Sequence, residues 1–191
     1  MMMPLPQENR YTYADFLAGS EEDREELIEG HFRMMSGPSR AHQEAVGEIY
    51  AQLRNHLRGK KCRAYIAPFD VRLFERDEDQ PDDVDTVVEP DVMVVCDASK
   101  VDDRGIKGAP DLIVEVLSPS TQSHDRVTKF NLYRRAGVRE YWLVDPESRV
   151  VQSFILQNGQ YVAAASSGAD RLSVHVLEGC IIDLGDVFPQ K

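Results

Sequence analysis

No apolar run in this chain approaches the ~18 to 20 residues that a membrane-spanning helix needs. The opening MMMPLPQENR also lacks the basic-then-apolar pattern of a secretory leader. Neither a membrane partner nor export is expected, and a cytoplasmic location follows. Cysteine is scarce. Cys62, Cys96 and Cys180 are odd in number and far apart, and none has a second Cys two or three positions away. That pattern fits neither a disulfide framework nor a thiolate zinc site, so free buried thiols are expected. His31, His42, His56, His124 and His175 form no HExxH or other two-histidine ligand spacing, which argues against a built-in zinc site.

Positive charge is also in short supply. The 191 residues carry 22 Lys plus Arg against 33 Asp plus Glu, a net charge of −11. A polyanion responds to local surface charge rather than to the total, so the placement of the acids matters. Residues 75–85 (ERDEDQPDDVD) hold seven acids and one Arg, and residues 15–29 hold another seven acids and one Arg. Outside those two stretches 19 acids face 20 bases. Five bases and no acid lie between Arg54 and Arg63, and Arg126, Lys129, Arg134, Arg135 and Arg139 follow Ser123. A locally basic face and an ordinary solvated surface both remain open on charge alone.

What is present is a globular composition, 42% apolar and 29% charged. A chain of this length buries roughly two thirds of its unfolded surface, and one domain spanning residues 1–191 is expected. YADFLAG (13–19) reads as a short helix ending at Gly19, followed by a solvated acidic run. LIEGHFRMMSG (27–37) alternates around Gly30 like a hairpin. From Ala41 to Leu57 the apolar positions Ala45, Val46, Ile49, Leu53 and Leu57 recur at helical spacing, and Gly59 closes the segment. Residues 62–74 and 86–96 read as strands joined by the acidic turn, and DLIVEVL (111–117) as a third, apolar enough to be covered on both faces. A helix is predicted from about Asp125 to Ala136 with Gly137 as its stop, then the strand REYWLVD. The tail reads as short antiparallel strands. The fold class is therefore α/β (α+β), a mixed sheet flanked by helices, with a core at about 13–160 and a β extension at about 161–191.

Two acids break the strand pattern. Asp91 follows Pro90 in VVEPDVMVV, and Glu115 lies in the middle of DLIVEVL. An ionised carboxylate among apolar strands costs several kcal/mol unless a cation or a set of donors compensates it. Two compensations are open: a divalent cation shared by both acids, with hard oxygen ligands suiting Mg²⁺ or Mn²⁺, or a buried Arg or Lys. Lys129 lies on the helix after the Glu115 strand, one turn from Asp125 and Tyr133. Its amine can reach back over the strand ends, or it is a surface lysine.

Asp91, Glu115 and Lys129 together resemble the PD-(D/E)xK phosphodiesterase motif. EPDVMVV, APDLIVEVLSPST, DRVTK with Tyr133, and AGVREYWLVDP are similar, over residues 13–160, to the Uma-two family of restriction-endonuclease-like proteins. One departure is visible: the residue two after Glu115, where the basic member of the motif usually stands, is Leu117. The resemblance implies that Lys129 has taken that role from the following helix. It further implies that Asp91 and Glu115 hold Mg²⁺ or Mn²⁺ with the Val116 carbonyl as an added ligand, and that Glu29 or His42 lines the cleft. Ser118, Ser120 and Thr121 would bind phosphate oxygens or cap the next helix. The implied activity is hydrolysis of nucleic acid, most simply DNA, by a homodimer. Two rivals are an idle module on the same fold that binds nucleic acid or protein without cutting, and a glycoside hydrolase using paired carboxylates. The lone Trp142 offers little surface for sugar stacking, and Lys129 has no role in the latter.

Overall fold

The computed structural model describes residues 10–19, 25–35, 37–118, 124–167 and 170–188. In chain order these form helix α1 (Tyr13–Leu17), strands β1 (Glu25–Ile28) and β2 (His31–Met34), and helix α2 (Arg40–His56). Seven strands follow: β3 (Arg63–Ile66), β4 (Val71–Arg72), β5 (Val87–Val88), β6 (Val92–Val95), β7 (Val101–Asp102), β8 (Gly105–Lys107) and β9 (Leu112–Val116). Helix α3 (His124–Ala136) leads into β10 (Glu140–Asp145), β11 (Val150–Gln157), β12 (Gln160–Ser167), β13 (Arg171–Ser173) and β14 (Ile181–Asp183), and helix α4 (Leu184–Val187) follows.

The α2 helix forms where the spacing predicts it. Ser39 caps its start, accepting from the His42 amide at 3.2 Å, while Ala45, Val46, Ile49 and Leu53 bury one stripe. That stripe packs on a six-stranded sheet ordered β12-β11-β10-β9-β6-β3. Along β9 the side chains alternate as the pleat requires. Leu112, Val114 and Val116 join the α2 core, whereas Ile113 joins the opposite core with Leu132 and Tyr133 of α3. The β9–α3–β10 segment is a parallel crossover, with Glu115 paired to Leu143. Both faces of β9 are thus covered, as its apolar run predicts.

A second six-stranded sheet, β2-β1-β5-β4-β8-β7, contributes Val71, Val88 and Ile106 to the α3-side core. Its existence corrects the expected pair of long strands. Residues 62–74 break after Ile66 at the Ala67–Pro68 peptide, which is cis, and residues 86–96 break at Pro90. Each half then enters a different sheet, because proline withdraws the amide that a continuous ladder would use. Close approach fixes Gly105: a Cβ there would lie 2.2 Å from the Asp70 carbonyl oxygen, and its φ is +123°. In the tail, β11 and β12 extend the main sheet, β13 and β14 pair separately, and α4 adds a helical turn where only strands are expected.

The cysteine expectation is corrected for two of the three thiols. Cys62 and Cys96 are joined in a disulfide across 34 residues, while Cys180 is free and buried. The cause is register. Arg63 pairs with Val95 in the antiparallel β3–β6 ladder, and one step further Cys62 meets Cys96. Spacing along the chain carries no trace of that meeting.

Candidate active site

One step beyond the Val92–Val114 pair of the β6–β9 ladder, Asp91 and Glu115 take corresponding positions on neighbouring chain segments. Asp91 is anchored by its own sheet. Its Oδ2 accepts from the Val116 amide at 2.7 Å, and its carbonyl accepts from the Ala67 amide at 3.1 Å. His42, on the first turn of α2, brings Nε2 to 3.3 Å from the same Oδ2. The Asp91 Oδ1 accepts no hydrogen bond from the described residues.

Glu115 points toward α3. Lys129 and Tyr133, four residues apart, lie on one face of that helix and converge on Glu115 Oε1, the ammonium at 3.0 Å and the hydroxyl donating at 2.6 Å. Lys129 also binds Glu26 Oε1 at 2.9 Å, and Glu26 in turn accepts from the Glu89 amide at 3.1 Å. Burial, opposed by Lys129 but reinforced by the charges of Asp91 and Glu26, pushes the Glu115 carboxyl up to about 7. Burial works against the Lys129 ammonium as well. The carboxylates of Glu115 and Glu26 outweigh it and hold the amine well above its ordinary range. Burial and the same two charges raise the Tyr133 phenol, which stays a donor. Among the described residues the Lys129 ammonium meets two acids, Glu115 and Glu26, and the charge of Asp91 acts on Glu115 as well, an excess of acids in a largely dry place.

That excess fits a divalent cation. Asp91 and Glu115 each keep one carboxylate oxygen without a donor among the described residues, and both are hard ligands of the kind Mg²⁺ and Mn²⁺ prefer. No group of three His, Cys, Asp or Glu side chains among the described residues forms a ready cage. The donor set is two carboxylates with main-chain and water oxygens, which suits an ion that keeps several waters.

Glu140 provides the contrast. This acid is fully buried, but its two oxygens accept from Trp142 Nε1 at 2.7 Å and the Val176 amide at 2.8 Å, so neutral donors satisfy it. Glu115 shares its bonded oxygen with a cation and a phenol and lies against two further carboxylates. Its proton is measurable. Because the folded pKa lies above the unfolded value of about 4.3, the folded chain binds more protons between pH ~4.3 and ~7, and stability falls as pH rises through that window. Against Glu115→Gln, the metal-free wild type is expected to lose up to about 3 kcal/mol between pH 4 and pH 8. Urea midpoints across that range are the check, and parallel curves for the two proteins would refute the shifted proton.

The expected site residues part company in space. Asp91, His42, Glu115, Val116, Lys129 and Tyr133 are brought together by the contacts above. Glu29 is not: it sits in the β1–β2 turn at φ +51°, its exposed carboxylate bound by Arg135 at 2.6 Å. Ser118 is buried just past β9. Ser120, Thr121 and the side chain of Asp125 lie outside the described residues. Glu26 is the member that sequence reasoning missed. It belongs to an acidic run that reads as solvated, yet it is only 4% exposed. Its one signal is a place beside Leu27 in the short strand β1, whose two central positions are both buried.

Beside Asp91 opens a cleft of about 650 Å³. Glu25, Glu89, Asp91, His42 and Gln43 line it together with the apolar Phe16, Leu17, Phe32, Val46, Ile66 and Pro68, and no Lys or Arg lines it among the described residues. Three carboxylates make this the acidic side of the site among the described residues.

Comparison with known proteins supplies the context. A family model, Uma2, described as "Putative restriction endonuclease", matches residues 12–185. Two proteins of Synechocystis sp., both named as uncharacterized, are similar: slr1290 at 29% identity over 84% of this chain and 82% of its own length, and sll1609 at 27% over 75% and 80%. A crystal structure described as "a putative nuclease belonging to DUF820", from Anabaena variabilis, superposes with a TM-score of 0.71, covering 93% of this chain and 97% of that one at 22% identity. The likeness in fold is close at this low identity.

Proposed function

The chain belongs to the Uma2 family of restriction-endonuclease-like proteins, and from that premise we propose that it is a metal-dependent endonuclease hydrolysing phosphodiester bonds of nucleic acid, DNA first among them. The observation that carries the reading is the Lys129–Glu115 ion pair set against Asp91, with an open oxygen on each acid. Asp91 and Glu115 would hold Mg²⁺ or Mn²⁺, whose chemistry there is Lewis-acid activation of water and stabilisation of charge on the phosphate.

The chain's own residues do the rest. The Val116 amide and His42 fix the rotamer of Asp91, so its open oxygen is aimed before substrate arrives. Tyr133 and Lys129 do the same for Glu115. Lys129 additionally places a permanent positive charge next to the reacting phosphate, where a water-poor setting strengthens its effect. The reading extends to one domain, supported by the core that the two large sheets share, and to a cytoplasmic homodimer as the expected assembly.

The test is cleavage of supercoiled plasmid and of labelled oligonucleotides by purified protein with Mg²⁺, Mn²⁺ or EDTA. Divalent-dependent nicking that EDTA abolishes is expected, together with a rise in melting temperature on adding Mn²⁺ that Asp91→Ala loses. A second reading, binding without cutting, draws on the double engagement of Lys129 by Glu26 and Glu115, which leaves the amine occupied. Metal stabilisation with no cleavage of any DNA or RNA form would select it.

A further inference from the structure

Twenty consecutive residues, 150–169, contain no Asp, Glu, Lys or Arg in a chain that is 29% charged and carries a net charge of −11. They include the whole β11–β12 hairpin, whose second strand ends the main sheet: among the described residues β12 pairs with β11 alone. Gln160, Val162, Ala163 and Ala164 are exposed, Val162 to 49%. Native edge strands are usually blunted by charge, proline, a bulge or shortness. At the other edge of this sheet β3 has four residues and carries Arg63, and in the second sheet the edge strand β2 carries Arg33 while β7 has only two residues. The β12 strand uses none of these devices. It runs for eight residues (QYVAAASS) in unbroken register with β11, from Gln160 against Gln157 to Ser167 against Val150.

The turn decides which backbone groups that edge offers. Asn158 and Gly159 lie at φ +50° and +75°, a two-residue hairpin turn that closes on a hydrogen-bonded pair, here Gln157 and Gln160. Bonded and non-bonded pairs alternate from there, so Tyr161, Ala163, Ala165 and Ser167 turn their amides and carbonyls away from β11. That set is symmetric about Ala164. We infer that the edge of β12 is the homodimer interface, two copies pairing antiparallel through this strand with the two-fold axis at Ala164. The inference rests on the expected homodimer for its occupant and on nothing in the catalytic reading. Antiparallel pairing lets one sequence meet itself, as a two-fold contact requires, and the four outward residues of one copy engage the four of the other. Two chains of charge −11 repel each other, and a segment without charge is where that repulsion is weakest. A stable pair buries about 800 Å² on each partner. Surface beyond the ladder is at hand, because Ala163 lies opposite Phe154, which with Val127, Phe130 and Leu143 lines an apolar groove of about 380 Å³ between α3 and the sheet.

The full chain is followed by analytical ultracentrifugation across a dilution series, beside three variants. The wild type is expected to sediment as a dimer. Ala164→Glu sets two like charges opposite each other at the axis and should raise the dissociation constant at least about tenfold. Ala163→Pro removes an amide that faces outward and takes no part in the β11 ladder, so it should do the same, and it keeps the test meaningful if Ala164→Glu fails to fold. Ala164→Cys brings two thiols together across the axis, with Cα atoms about 4.5 Å apart and within disulfide range, so mild oxidation should link the copies on a non-reducing gel. Val127→Cys, exposed on α3, is the control and should stay unlinked. A dimer that Ala164→Glu and Ala163→Pro leave intact, or an Ala164→Cys form that does not link, would overturn this interface and leave the homodimer to another surface. A monomeric wild type would overturn both and leave the edge to a foreign strand, and assemblies that grow beyond two copies would overturn the closed pair. Cleavage enters none of these readouts, so the nuclease reading is judged separately.

Discussion

Asp91→Asn and Glu115→Gln are each expected to lower divalent-dependent cleavage by about 10³-fold or more, since each removes one of the two charges that hold the ion and an ion of this kind contributes several kcal/mol to the barrier. Lys129→Met should cost about 10² to 10³ in rate, the usual loss when one preorganised charge is taken from a transition state. The three variants separate by stability. Asn and Gln keep acceptors for the Val116 amide, Tyr133 and Lys129, so both proteins stay folded. Lys129→Met leaves Glu26 and Glu115 facing each other without the ammonium, and a drop of about 3 to 5 kcal/mol in unfolding free energy accompanies its loss of activity. Rates from single-turnover cleavage, set beside urea midpoints, distinguish a chemical loss from a folding one. Full cleavage by either carboxylate variant would end the proposed assignment.

An equally large effect on stability is expected far from the cleft, at Arg72. This side chain is fully buried in β4, bonded through Nε to Glu75 and through Nη2 to Asp102 at 2.6 Å, with its guanidinium 5.7 Å over the Tyr13 ring. Glu75 is itself almost wholly enclosed, so Arg72→Met leaves a carboxylate buried and unpaired. A loss of about 3 to 5 kcal/mol follows. For a chain of this size that is a fall in melting temperature of about 6 to 20 °C. The double variant Arg72→Met with Glu75→Gln should recover most of the loss, because the orphaned charge goes with its partner. An unchanged melting temperature in the single variant would show that the pair stabilises nothing.

Much of this architecture is legible in the sequence where one local force dominates. The α2 stripe, the α3 helix with Gly137 after it, and the doubly covered β9 all follow from periodicity and from turn residues. The tension at Glu115 is legible too, since an acid in an apolar strand demands compensation, and Lys129 proves to sit on it. What escapes is set by long-range pairing. Cys62 and Cys96 meet through strand register, the halves of two apparent strands part at Pro68 and Pro90, and Glu26 is carried inward by β1 although its neighbours in sequence are charged. Composition reports what a segment prefers alone, and these three outcomes depend on what it lies against.

The ammonium and the phenol arrive on a helix, whereas the acids they restrain are carried by strands. On the proposed reading, catalytic competence is a property of the seam between α3 and the sheet, and it belongs to neither layer alone. Gentle heating or denaturant that lifts the helix away would silence the protein while the strands remain zipped together, so inactivation would run ahead of global melting.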